Sequence, residues 1–304
     1  MEIMPFEPSM AADVARCYSE VAASAPYCAP VGGEWFADLG KLARQPCTEE
    51  ALIVAQARGE IAGFVHVGVS APATEEWQIT GEPGVIRFLA HRPGERPIGA
   101  ALLKSAEEWL VARGRSVLVA VDNRFLYPFY YLPFGHLSER HAHLVALFGM
   151  AGYSSDESEL LLEWPAFEPP QVERPDVDVD LIWGEDKHGS LGPEISLHVV
   201  QHGREVGECL MAQLSWEGWR PELSGMCFCS SLNVDPSLQG KGLGKYLLAQ
   251  GLAKMHELGF RHAMISTDWN NYRAQLLYTN IGYRFLDRTF SFRKVLGEAG
   301  ESDG

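Results

Sequence analysis

The sequence predicts an α/β fold made of two similar domains, each a mixed, mainly antiparallel sheet flanked by helices. Three observations carry this. Strand-like and helix-like patterns alternate in both halves. A unit of strand, glycine-bearing loop, helix and strand occurs twice. A proline-rich, acidic stretch separates the halves of a 304-residue chain, longer than most single cores.

In chain order, Leu52 to Ala57 and Ile61 to Val69 flank Arg58-Gly59-Glu60, a hairpin signal. The segment Gly84 to Asp122 then reads as strand, loop, helix and strand. Its helix carries Leu102, Leu103, Ala106 and Leu110, and Gly114 closes it. An aromatic, proline-punctuated insert follows, Tyr127-Pro128-Phe129-Tyr130-Tyr131-Leu132-Pro133-Phe134-Gly135-His136. It is expected to be ordered, either lining a cleft or packed as a hydrophobic loop. The stretch 164–180 reads as the linker, giving domains at 1–163 and 181–296 and a disordered tail at 297–304. Each domain is expected to begin with helices and a β-meander.

The second half repeats the plan. Glu194 to Val200 and Glu205 to Ser215 flank His202-Gly203-Arg204. A strand ends at Val234, because Asp235-Pro236 breaks it. Gln239-Gly240-Lys241-Gly242-Leu243-Gly244-Lys245 comes next, and Leu247, Leu248, Leu252, Met255 and Leu258 follow at helical spacing. Gly259 closes that helix and Phe260 to Thr267 returns as a strand.

A glycine loop feeding a helix start is an anion cradle. Its backbone N–H groups lack helical partners, and the helix dipole adds partial positive charge. Lys241 and Lys245 either add charge or are solvated. The loop is no nucleotide P-loop, since Tyr246 stands where a serine or threonine would hold magnesium. The spacing of Gly240, Gly242 and Gly244 also fails the dinucleotide fingerprint.

The run Val234-Asp235-Pro236 through Gly244 resembles the acetyl-CoA-binding motif of the GNAT superfamily of N-acyltransferases. Downstream, Asn271-x-x-Ala274-x-x-Leu277-Tyr278-x-x-x-Gly282-Tyr283 is similar to that family's second motif. The resemblance implies acetyl-CoA as co-substrate, held by Leu232, Asn233 and Val234 along the pantetheine arm. It implies a pyrophosphate on Gln239, Gly240, Lys241, Gly242, Leu243, Gly244 and Lys245, with Asn271 and Ala274 beside the cofactor. Tyr278 takes the family's general-acid role, protonating the departing thiolate. The base is left open among Glu217, Glu222 and Asp268, any of which is otherwise a solvated carboxylate. Trp216, Trp219 and Trp269 either wall an acceptor pocket or belong to the core.

The first copy is a weakened version. Arg96-Pro97-Ile98-Gly99-Ala100-Ala101 fits the loop pattern, so Arg96, Gly99, Ala100 and Ala101 mark a possible second cofactor site. Pro97, however, removes a donor, His141 and Leu144 replace the Asn and Ala, and Phe148 replaces the tyrosine. This copy is expected to be catalytically inactive. The tandem arrangement is similar to that of the mycothiol synthase family, although no substrate-reading motif accompanies it.

A net charge of -15 disfavours nucleic acid and membrane as partners. It suits a small-molecule amine or peptide N-terminus, though acidity also serves solubility alone. The six cysteines form no C-x-x-C pair, and the histidines lack metal-ligand spacing, so no metal is expected. No secretory leader or membrane-spanning run is apparent, and a cytoplasmic location is expected. The expected reaction is direct attack of a primary amine on the thioester in a ternary complex, the second copy being active. The alternative is an acyl-CoA-binding sensor or scaffold without turnover.

Overall fold

The computed structural model describes residues 1–39, 47–72, 82–187, 191–214 and 223–296. The expected tail at 297–304 lies outside the described residues, as do Glu217, Glu222, Trp216 and Trp219. The chain forms two compact units, one of residues 1–159 and the chain from Asp287 onward, the other of Leu160–Leu286. No helix among the described residues is long and apolar enough to cross a membrane.

In the first unit β1 (Glu2–Pro5), β2 (Cys47–Ala57), β3 (Glu60–Ser70) and β4 (Gly84–His91) form an antiparallel series, and β5 (Val117–Ala120) joins β4 in parallel. Helices α1 (Ala11–Ala22) and α2 (Gly33–Phe36) lie on one face, where the Phe36 and Phe64 rings stand 5.7 Å apart. Helix α3 (Arg96–Val111) covers the other face, since a Cβ at Gly63 would meet Leu102 and Ile98. After the two-residue strand β6 (Leu137–Ser138) come α4 (Ala142–Met150) and β7 (Ser154–Pro165), whose residues from Leu160 onward belong to the second unit. The aromatic insert belongs to this unit's core. Phe125, Tyr127, Phe129, Tyr130 and Tyr131 are all buried, and Tyr127 packs on Tyr18, Phe36 and Phe88.

The second unit contains β8 (Asp180–Asp186), β9 (Glu194–Gln201), β10 (Arg204–Gln213), β11 (Met226–Val234) and β12 (His262–Asp268). The first four are antiparallel neighbours, and β11 runs parallel to β12. Helix α5 (Leu243–Glu257) packs on β9 to β11 through Leu247, Leu248, Leu252 and Met255. Helix α6 (Tyr272–Ile281) and β13 (Arg284–Val295) complete the chain. The expected opening helices are present in the first unit. Among the described residues of the second they are missing, because β8 passes to β9 through a short connection. Among the described residues, one face of that meander therefore has no helix of its own. The segment 166–179 lies along the second unit, with Phe167 and Val179 in its core and Arg174 donating to the Val179 carbonyl at 2.7 Å.

The chain's last strand helps to build the first unit. Residues 292–295 pair with β5, and Thr289 and Phe290 pair with β6. Asp287 is buried and accepts hydrogen bonds from Ser138 Oγ at 2.6 Å and Tyr131 Oη at 2.9 Å. Removing one partner of a buried hydrogen bond leaves the other desolvated. Asp287→Ala is expected to destabilise the first unit by roughly 2 kcal/mol. Denaturant melts followed by tyrosine fluorescence check this, with Asp287→Asn retaining more stability because it keeps an acceptor.

Candidate active site

The site is built where β11 leaves β12. Their parallel register runs from Met226–His262 to Cys229–Ile265 and stops, although both strands continue. The cause is a bulge: Cys229 pairs with Met211 and Ser231 with Leu210, so Ser230 is an extra residue. A bulge bends the strand and increases its twist. Beyond it, Leu232, Asn233 and Val234 remain paired with β10, leaving a wedge beside β12.

The loop after β11 is held by its own side chains. Asp235 accepts from Ser237 N at 3.0 Å and Ser237 Oγ at 2.7 Å, and its carboxyl is held below the usual carboxylate range mainly by these bonds. Gln239 folds back, donating Nε2 to the Val234 carbonyl at 2.9 Å, while its Oε1 accepts from Arg273 of α6 at 3.3 Å. Gly240 and Gly242 have φ of 77° and 86°, a region that side chains with a Cβ rarely adopt. Space is not the reason for glycine at Gly240, since an added Cβ there would meet nothing within 4 Å. Gly242 is the N-cap of α5, and its carbonyl accepts from Tyr246 N at 3.1 Å. The N–H groups of Leu243, Gly244 and Lys245 therefore lie in the first turn, without helical partners. Lys241 and Lys245 are exposed at this positive helix end.

Helix α6 brings the second motif to the first. Asn271 is its N-cap, accepting from Ala274 N at 3.2 Å. A Cβ placed on Gly244 would stand 3.8 Å from Val234 Cγ2 and 3.9 Å from Leu277 Cδ2, so strand end, loop and helix meet there. Ala274 and Leu277 are half-buried, and Tyr278 is 6% exposed with its ring 6.2 Å from that of Tyr283. Asp268 is exposed, and Trp269 is exposed against Tyr272.

Two carboxylates at the bulge were not singled out from the sequence. Ser230 Oγ donates to Glu194 Oε2 at 2.7 Å, and Ser231 Oγ donates to Glu208 Oε1 at 2.6 Å. Glu194 lies on β9 and Glu208 on β10, on the sheet face away from α5. No motif spacing links them to the serines; strand pairing and the bulge do.

The corresponding region of the first unit is filled. Arg96, Gly99, Ala100 and Ala101 all lie inside α3, which begins at Arg96. The Ile98 and Gly99 N–H groups donate to the Glu95 carbonyl at 2.9 and 3.4 Å, and Pro97 has no N–H. The acidic Glu95 is the helix N-cap. A Cβ on Gly99 would lie 2.4 Å from His91 Nε2, so an imidazole occupies the space beside it. His91, His141 and His143 cluster there, with the His91 and His143 rings 5.0 Å apart. Burial lowers the pKa of all three, that of His141 to about 4. His141 is the N-cap of α4, as Asn271 is of α6. Phe148 stacks on Phe292 at 5.0 Å in the core. On the far side, buried Arg87 pairs with Glu50 and donates to the carbonyl of Phe125 in the insert at 2.7 Å.

Residues 159–283 match the model of the acetyltransferase (GNAT) family. No curated protein matches the sequence. A tandem GNAT protein from the clavulanic acid biosynthesis pathway is 15% identical with a TM-score of 0.63, the match covering 98% of this chain and 99% of that one. A GCN5-related N-acetyltransferase from Sphaerobacter thermophilus is 16% identical with a TM-score of 0.60, covering 98% and 96%. The glucosamine N-acetyltransferase region of a fungal multi-domain β-N-acetylglucosaminidase is 13% identical with a TM-score of 0.65, covering 96% of this chain but 38% of that one. At these identities the likeness is one of fold.

Proposed function

Because residues 159–283 form a domain of the acetyltransferase (GNAT) family, we propose that this protein transfers an acetyl group from acetyl-CoA to a primary amine at one site per chain, in the second unit. The observation that carries this is the meeting of Val234, Gly244 and Leu277 at the mouth of the β11–β12 wedge. There the pyrophosphate sits on the N–H groups from Gly240 to Lys245, at the positive end of α5, while the Gln239 N–H donates to the Pro236 carbonyl at 3.4 Å. The pantetheine lies along Leu232 to Val234, flanked by Asn271 and Ala274. In the first unit the aligned donors are engaged within α3 and His91 fills the space beside Gly99, which supports a scaffold role for it.

Amine and thioester meet in a ternary complex. The nitrogen lone pair attacks the thioester carbonyl carbon, the tetrahedral intermediate collapses, and the C–S bond breaks. Tyr278 gives its proton to the departing sulfur, and the second proton shed by the attacking nitrogen passes through water to the phenolate, which restores the phenol. The cysteines of this core are poor nucleophiles. Cys227 is buried with its thiol pushed up to about 12, and the hydrogen bond with Cys209, together with burial, raises that of Cys229. Glu194, oriented by Ser230 on the sheet face away from α5, takes the proton of the incoming ammonium, directly or through water. Its negative charge also suits a cationic acceptor. Glu217 and Glu222 lie outside the described residues.

The test is thiol release from acetyl-CoA across a panel of polyamines, amino sugars, amino acids and peptides. Tyr278→Phe should lower kcat by about 100-fold with little change in acetyl-CoA affinity. Glu194→Gln should lower kcat by about 10- to 100-fold with little change in acetyl-CoA affinity. Tight acetyl-CoA binding with no release on any amine would favour a sensor instead. Full activity in Tyr278→Phe would remove the acid role.

A further inference from the structure

Strand spacing ordinarily sends residues three apart to opposite faces of a sheet. Glu205 and Glu208 escape this rule. Glu205 pairs with Val200 and Gly207 with Val199, so Val206 is an extra residue in β10. The bulge turns Glu205 onto the face that carries Glu208 and its direct cross-strand partner His198. One imidazole and two carboxylates thus converge, with ligand atoms all within 4.8 Å of one another.

The local hydrogen bonding adds a second, independent observation. His198 Nδ1 is shielded from solvent and makes no hydrogen bond. Glu205 Oε2 nevertheless lies 3.1 Å from it. Metal–nitrogen and metal–oxygen bonds of about 2.0–2.2 Å set two ligands of one ion roughly 3 Å apart. Glu208 is already oriented: its Oε1 accepts from Ser231 Oγ at 2.6 Å, the kind of outer partner that fixes a ligating carboxylate. Glu205 is half-exposed and can turn its head to close the set. Glu205 and Glu208 also line a cleft of about 280 Å³ with Arg204, Asn233 and Asp235, which offers an approach path and room for water ligands.

We propose that His198, Glu205 and Glu208 bind a divalent transition-metal ion, three protein ligands leaving a position open toward this cleft. Mixed imidazole and carboxylate donors suit zinc, and manganese less tightly, better than calcium. The ion neutralises two carboxylates on one sheet face and clips β9 to β10 across the bulge. It does not depend on the acyl-transfer assignment, since no proposed cofactor contact or proton-transfer residue is among its ligands.

Calorimetric titration of the chelator-treated full chain with Zn²⁺, without acetyl-CoA, tests this. One saturable site per chain is expected, weakened at least ~10-fold in His198→Ala and in Glu205→Gln. Glu205→Gln changes an exposed side chain and keeps the fold, so its result stands even where His198→Ala unfolds. Ser231→Ala leaves all three ligands in place and should weaken binding by about 10-fold through loss of the bond that orients Glu208. Absence of saturable binding, or equal affinity in wild type and Glu205→Gln, would overturn the proposal. Either result leaves the acyl-transfer assays unaffected.

Discussion

Gly242→Glu is expected to weaken acetyl-CoA binding by at least about 100-fold, equivalent to roughly 2.7 kcal/mol. Two causes act together. The carboxylate enters the positive end of α5, where the pyrophosphate would sit, and repels it. The new Cβ also disfavours the left-handed backbone, φ 86°, from which α5 starts. Asparagine visits that conformation more readily, so Gly242→Asn separates charge from strain and should bind far better than the glutamate variant. Calorimetry on wild type should give one acetyl-CoA per chain. Two would mean that the first unit also binds, despite His91 and the engaged N–H groups of α3. Unchanged affinity in Gly242→Glu would show that this loop is an ordinary turn.

The first unit should lose stability in mild acid before the second does. His136 and His141 are buried, and burial lowers each pKa from 6.5 to about 4. His66 is lowered further in direction, again by burial. In the unfolded chain these imidazoles take up protons near pH 6.5, while in the folded unit they resist it. The unfolded state therefore binds more protons between these values, and stability falls with pH. Their contribution is complete above pH 6.5 and is lost as pH falls toward 4. For His136 and His141 the gap corresponds to about 3 kcal/mol each, an order-of-magnitude figure. Asp287 acts in the opposite sense, because burial raises its pKa and acid relieves that penalty. It is one group set against three buried histidines, so the histidines dominate. Hydrogen exchange followed by mass spectrometry checks this: β3 and β4 should lose protection near pH 5 while α5 keeps it. Simultaneous loss in both units would count against the argument.

Much of the fold and the layout of the candidate site could be read along the chain. The two hairpins, the break at Asp235-Pro236, the glycine loop and the helix after it are all short-range features. Their causes are equally short-range: the missing N–H of proline, the positive φ open to glycine, and apolar spacing at the helical period. The proposed cofactor loop is legible for the same reason, since an anion cradle is made from consecutive backbone donors. The departures of the first copy from the motif are also local, at Pro97, His141 and Phe148.

Other features depended on strand pairing. Two bulges, at Val206 and Ser230, shift register by one residue and thereby exchange sheet faces. They alone bring Glu205 to His198 and turn Ser231 toward Glu208, so an alternating pattern read from the sequence assigns these residues to the wrong sides. The use of residues 287–295 in the first unit is likewise a matter of which strand edge is available, not of composition. So is the space beside Gly99, which His91 fills from a neighbouring strand. Chemistry carried by neighbours in the chain was legible from residue identities. Chemistry assembled across strands was decided by backbone register, because a one-residue slip changes every partner.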